Sequence, residues 1–245
     1  MIKNSNISIQ ELINNIKIIL HKNDEKIIDE SLNKINQIIN EQQVTQKHLF
    51  NILLNQIIHN ENNIHKFDEI IFHKINLEDN TRNRLKKILP QGIQDFKKYI
   101  NKNYKTLNEL LKVQNFQEAD RITSIELCKI VNRRTNSSRN WLYFTDINKI
   151  PTYDLFIIDL LWSEYSNGNF GFLTQKRIWQ QNDNWLIFLD KIGWLKDGYP
   201  KRYPQDFIWN INAPKGHLPL FNQIRGNQTL LNIFKHKTWQ EYYES

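Results

Sequence analysis

The chain has one cysteine, Cys128, in 245 residues. That excludes an intramolecular disulfide and any cysteine-based zinc site. Set among Leu127, Ile130 and Val131 on an expected helix, Cys128 reads as a buried hydrophobe and not as a nucleophile. No apolar run approaches the roughly eighteen residues of a membrane span. The N-terminal stretch carries Glu11 and no arginine-rich or signal-like segment, so no targeting peptide is expected. There is no P-loop, GxGxxG, zinc-binding motif, or Ser or Cys nucleophile beside an obvious base, so no enzyme class is supported. Asp159 and Glu164, at the end of one expected helix, read as solvated or structural acids.

Glycine and proline are scarce, and six of the seven glycines lie at or after Gly168. All seven tryptophans lie at or after Trp141. The first hundred residues are built mostly from Ile, Leu, Asn, Lys and Gln. The contrast predicts two domains, residues 1–100 and 101–245. The net charge of +7 is also uneven: eight Lys or Arg from Lys191 to Lys237 stand against Asp197 and Asp206 alone. Such a cluster favours an anionic partner, whether nucleic acid, an anionic membrane or a small acidic ligand.

Apolar stripes at helical spacing predict five helices before Pro90, among them Ile28, Leu32, Ile35 and Ile39. Short polar loops between them describe an antiparallel bundle. Five of the seven histidines lie there (His21, His48, His59, His65 and His73), with no i,i+4 pair, and are expected at the surface. In the second domain Thr106 and Glu109 have capping-box spacing, and Asn115 and Glu118 cap a helix from Phe116 to about Arg133. The polar segment from Arg133 to Asn140 is expected to be mobile and leads into Trp141-Leu142-Tyr143-Phe144. Pro151 and Thr152 open a central helix whose Leu155, Ile158, Leu161, Trp162 and Tyr165 share one face. Asn167-Gly168 ends it. Phe170-Gly-Phe172 then turns the chain into a helix reaching Trp179, and Trp185, Phe188, Leu189 and Ile192 form another. Leu195 to Asn227 reads as a long irregular loop, which in a compact domain is usually functional. Leu230, Leu231, Phe234 and Trp239 predict one or two closing helices.

Several blocks taken together carry a family resemblance. They are Glu118-Ala-Asp120, Asp146 to Pro151, Asp154-Leu155 with Ile158-Asp159 and Trp162, Tyr165-Ser-Asn-Gly168 with Phe170-Gly-Phe172, Gly193-Trp194, and Ala213-Pro-Lys-Gly-His217-Leu-Pro219. Their order and spacing over Leu107 to Phe234 resemble the genomes-uncoupled-four family, the tetrapyrrole-binding regulators of chlorophyll synthesis. The resemblance implies an all-α fold: an N-terminal helical bundle, then a helical core with long loops that cups protoporphyrin IX and Mg-protoporphyrin IX. It also implies stimulation of magnesium chelatase through its large porphyrin-binding subunit, with no catalysis by this chain. The expected setting is the plastid stroma of an alga or the cytoplasm of a cyanobacterium. The expected state is a monomer, with peripheral membrane association open.

A porphyrin is a flat apolar disc with two carboxylates on one edge, and needs an apolar concave surface with basic groups at its rim. Trp141, Leu142 and Tyr143 on one loop, and Tyr199, Tyr203, Leu218 and Phe221 on the other, are the expected surface. Lys215, Arg225 and Arg202 are placed to meet the propionates, and the Asn222 to Arg225 spacing resembles the family's pigment-contacting loop. His217 is the candidate axial ligand for magnesium, although a histidine in a Gly-Pro turn more often bonds backbone. A linear bilin is the alternative ligand. A basic nucleic-acid-binding module is the rival class, but the charges form no continuous stripe and no nucleic-acid motif is present.

Overall fold

The computed structural model describes residues 58, 83, 86–90, 92–182, 184–220 and 227–243. The helices and histidines expected in the first eighty residues, and Phe221, Asn222 and Arg225, lie outside them. The chain divides into two compact units, Met1–Lys97 and Lys98–Ser245. Helix α1 (Ile93–Asn103) contains that division, and the junction expected at residues 100–101 falls inside it.

In the second unit the chain continues through α2 (Lys105–Lys112), α3 (Phe116–Thr135), a 3-10 helix (Phe144–Lys149) and α4 (Thr152–Tyr165). It then forms α5 (Phe172–Gln180), α6 (Trp185–Lys191), the strands β1 (Leu195–Lys196) and β2 (Tyr199–Pro200), α7 (Asn227–Phe234) and α8 (Thr238–Tyr242). The described residues are thus mostly helical, as expected. No helix among them is long and apolar enough to cross a membrane.

Asn115 caps α3 as its sequence predicts, its side-chain oxygen accepting from the Glu118 N–H at 3.4 Å. The Thr106–Glu109 capping box does not form, because α2 starts two residues earlier, behind Tyr104. Tyr104 is 2 % exposed and donates its hydroxyl to Asp154. That anchor fixes the helix start, so Thr106 lies inside α2 and Glu109 faces Lys105 at 3.8 Å. The polar stretch after α3 is also more ordered than its composition suggests. Asn136 takes the left-handed C-cap conformation, Asn132 donates to the Arg139 carbonyl at 2.8 Å, and Ser137 bonds the Asn132 side chain at 2.5 Å.

Helix α4 departs most from the one-faced reading: every residue from Leu155 to Trp162 is buried. A helix buried all round is surrounded by protein, and α2, α5 and α8 pack around it. Trp162 donates its indole N–H to Thr123 of α3 at 2.9 Å and stacks on Phe116 at 5.9 Å. Burying each such ring contributes about 1.5–3 kcal/mol.

The end of α4 is the tightest corner. Ser166 donates its hydroxyl to the Trp162 carbonyl at 2.7 Å and accepts from the Phe170 N–H at 2.8 Å, while Asn167 and Gly168 have φ of 53° and 77°. Phe170 and Phe172 are fully buried on either side of Gly171. Asp159, 1 % exposed, reaches across the corner to accept from the Leu173 N–H at 2.9 Å and the Tyr243 hydroxyl at 2.8 Å.

Burial pushes the Asp159 carboxyl up to about 6, with those hydrogen bonds pulling it back, and burial alone pushes Glu164 up to about 7. The folded chain therefore holds protons that the unfolded chain releases. This stabilising contribution is complete below about pH 4 and is lost as pH rises through 6 to 7. Burial lowers His217 and His236, which act oppositely: their contribution is present above about pH 6.5 and lost in acid. At about 1.4 kcal/mol per pKa unit, Glu164→Gln is expected to stabilise the protein by about 1–3 kcal/mol at pH 8 and by much less at pH 5. Urea midpoints at the two pH values check this; an equal effect at both would show that Glu164 ionises freely.

Candidate functional site

The segment Ala213-Pro-Lys-Gly-His-Leu-Pro219 is stitched into the corner that ends α4. Gly216 donates to the Asn169 carbonyl at 2.8 Å, and Gly171 donates to the Leu218 carbonyl at 3.0 Å. The Gln175 amide reaches the Gly216 and Pro219 carbonyls at 2.9 and 2.8 Å. Gly216 has φ of 78°, and a Cβ there would lie 2.8 Å from Ile178 Cδ1, so only glycine fits without movement. At the far end of the segment the Leu220 N–H donates to Asp120 of α3 at 2.7 Å. Two sequence blocks some forty-five residues apart are thus one physical unit resting on α3.

His217 is fully buried, with Nδ1 2.6 Å from the Ile192 carbonyl and Nε2 3.1 Å from the Ile208 N–H. Nε2 accepts, so Nδ1 carries the proton and donates. Both ring nitrogens are committed to backbone, and His217 is corrected from candidate metal ligand to clamp between the end of α6 and the following loop. Leu218 and Leu142 are also corrected: at 0 % and 3 % exposed they are core residues, not a ligand surface. Among the described residues no group of His, Cys, Asp or Glu side chains is arranged to hold a metal ion.

The other expected residues that the structure describes reach the surface. Trp141 is half-buried. Tyr143, 54 % exposed, opens the 3-10 helix, its N–H donating to Asp146 at 3.0 Å and its ring lying under the Arg139 guanidinium at 4.8 Å. Burial works to raise the Asp146 carboxyl, but Lys149, the Tyr143 N–H and Arg139 outweigh it and hold it below its ordinary value. The positions of Arg139 and Tyr143 are thereby tied to one buried acid.

On the second loop the structure adds a feature the sequence reading missed. Asp197 and Gly198 both have positive φ, 53° and 79°, and close an antiparallel hairpin pairing Leu195 with Pro200. Tyr199 stands out on it, 77 % exposed. Arg202 is exposed, its backbone N–H held by Asp206 at 2.9 Å. Tyr203, 40 % exposed, meets Trp209 edge-on at 5.9 Å. Burial first, and then the neighbouring Asp120 carboxylate, raises the Tyr203 hydroxyl, with Arg121 working against them. Tyr203 therefore lies beside the first half of α3. Lys215 is exposed.

Helix α3 underlies both loops: the 3-10 helix packs on it and on α7, and Tyr203 and Leu220 border its N-terminal half. Among the described residues, five large apolar side chains on the two loops are exposed, namely Tyr143, Phe144, Tyr199, Tyr203 and Ile208. Phe144, Ile208 and the basic Arg121 and Arg139 were not among the expected site residues. Nothing in their local pattern separates an exposed apolar residue from a core one.

These features define a mainly helical unit whose two apolar loops border one helix, α3. The GUN4-like family model matches residues 97–237, and the chain belongs to that family. It is 47 % identical over 157 residues to the ycf53 protein of Porphyra purpurea, covering 64 % of this chain and 66 % of that one. It is 40 % identical over 169 residues to a Ycf53-like protein of Synechocystis, covering 68 % and 72 %. A relative in Arabidopsis thaliana named as a chloroplastic tetrapyrrole-binding protein is 32 % identical over 143 residues, or 54 % of each chain. The match thus spans just under two thirds of the red-algal relatives' length, 65 % and 66 %. Among solved structures, GUN4 of Chlamydomonas reinhardtii aligns with a TM-score of 0.50 at 37 % identity, over 56 % of this chain and 88 % of that one. The ligand-free Arabidopsis GUN4 aligns with a TM-score of 0.50 at 34 % identity, over 56 % and 93 %.

Proposed function

We propose that this chain is a non-catalytic tetrapyrrole-binding regulator that takes protoporphyrin IX and Mg-protoporphyrin IX between its two apolar loops. The observation that carries this reading is the exposure of Tyr143 and Phe144 on one loop, and of Tyr199, Tyr203 and Ile208 on the other. Apolar side chains held at the surface on two loops that border one helix suit a flat apolar ligand. Lys215, Arg202 and Arg121 stand on the second loop or beside it on α3 and suit the propionates, and Arg225 and Asn222 keep the role their family-like spacing gives them. His217, with both ring nitrogens bonded to backbone, would not hold a magnesium carried in the ring.

Burying ~300 Å² of ring surface at about 25 cal/mol/Å² is worth roughly 7–8 kcal/mol, and binding costs bring this to about micromolar affinity. Such a carrier can also release its pigment. In this reading it passes porphyrin to, and stimulates, magnesium chelatase through the large porphyrin-binding subunit. It works in an algal plastid or a cyanobacterial cytoplasm.

The test is quenching of tryptophan emission by protoporphyrin IX, its magnesium form and a bilin, using the full chain and a fragment from residue 93 to 245. Starting at 93 keeps α1 and the Tyr99 bond to Asp154. Saturable micromolar quenching by both porphyrins, in both proteins, is the expected result. No response at tens of micromolar pigment removes the porphyrin reading, and binding by the bilin alone replaces it. Stimulation of a reconstituted chelatase reads the regulatory step separately.

A further inference from the structure

The second unit carries another recess, of about 180 Å³, on a different side of α3. Arg121, which lies beside Tyr203, precedes Ile130 in the recess wall by nine residues, about 180° around the helix at 100° per residue. Glu126, Arg133 and Arg134 line the recess from the same α3 stripe, and Asp154 at the start of α4 lines it from the other side. Tyr99 and Tyr104 complete it, both donating their hydroxyls to Asp154 Oδ1, Tyr99 at 2.7 Å.

The charges are arranged for a particular kind of guest. Burial, followed by the Asp154 contacts, holds both phenols far above their ordinary values, so they remain protonated donors. They occupy one oxygen of Asp154, and among the described residues no hydrogen bond reaches Oδ2. Glu126 is already paired with Lys129 at 2.8 Å. The Arg133 and Arg134 guanidiniums have no ion pair or hydrogen bond among the described residues. A simple anion drawn to the arginines would meet Asp154, and a simple cation drawn to Asp154 would meet two guanidiniums. A molecule carrying both charges, separated, satisfies both walls.

We propose that this recess binds a small amino-acid zwitterion, its carboxylate on Arg133 and Arg134 and its ammonium on Asp154 Oδ2. With few atoms to bury, the affinity is on the order of millimolar. Saturation-transfer NMR on the full chain tests it with glycine, β-alanine, 4-aminobutyrate and 5-aminovalerate, which space the two charges progressively. Acetate, inorganic phosphate and methylammonium serve as single-charge probes. One spacing is expected to bind roughly tenfold tighter than any single-charge probe, and Asp154→Asn or the pair Arg133→Gln with Arg134→Gln should each weaken it by roughly tenfold. Both arginines are exposed, so the paired variant keeps its fold and decides the matter if Asp154→Asn does not fold. No zwitterion binding at ~10 mM, phosphate binding as tightly as the best zwitterion, or full affinity in the arginine variant would each overturn the proposal.

Discussion

Gly171→Ala is expected to destabilise the protein by about 3 kcal/mol or more. At φ 113° and ψ 158°, Gly171 occupies a region essentially confined to glycine. A Cβ there would also lie 2.8 Å from Asp159 Oδ1. That carboxylate cannot retreat without releasing the Leu173 N–H and the Tyr243 hydroxyl, so backbone strain and a lost buried hydrogen bond add together. Gly198→Ala is the matched control, because its φ of 79° is also positive but no atom lies within 4 Å of the added Cβ. It should cost roughly 1 kcal/mol. Urea unfolding of the two variants beside the wild type reads the difference. Equal losses would mean that the Asp159 contact contributes nothing and that the corner tolerates a side chain.

The second large effect concerns binding. Replacing Tyr143 and Tyr203 together by serine is expected to weaken porphyrin binding about thirty- to a hundredfold, or roughly 2–3 kcal/mol, since each ring contributes about 1–1.5 kcal/mol against a flat aromatic ligand. The fold should survive, because the two rings are 54 % and 40 % exposed and meet Arg139 and Trp209, respectively, at the surface. The porphyrin dissociation constant, with unfolding midpoints measured in parallel, checks this. Unchanged affinity in an equally stable double variant would take both tyrosines out of the site and move the apolar surface to Phe144 and Ile208.

Much of the core was legible in local pattern. Asn115 as a cap, Pro151-Thr152 as the start of α4 and Asn167-Gly168 as its end follow from what each backbone position requires of its residue, and neighbours within four positions satisfy those requirements. The Asp197-Gly198 hairpin also had a local signal, a two-residue turn that tolerates positive φ. The scarcity of helix signals around it hid it inside an apparently irregular stretch.

What the sequence determined by itself was most of the helices of the second unit, the corner between α4 and α5, and the absence of any intramolecular disulfide. Only the tertiary structure decided which loop residues face outward. Leu142 and Tyr143 are adjacent and both apolar, yet one is core and the other surface, where the chain enters the 3-10 helix that packs on α3 and α7. His217 was decided by Ile192 and Ile208, 25 and 9 residues away, and Asp154 by Tyr99 and Tyr104, 55 and 50 residues away. A side chain's burial and its partner are properties of the packed neighbours, and no window along the chain holds them.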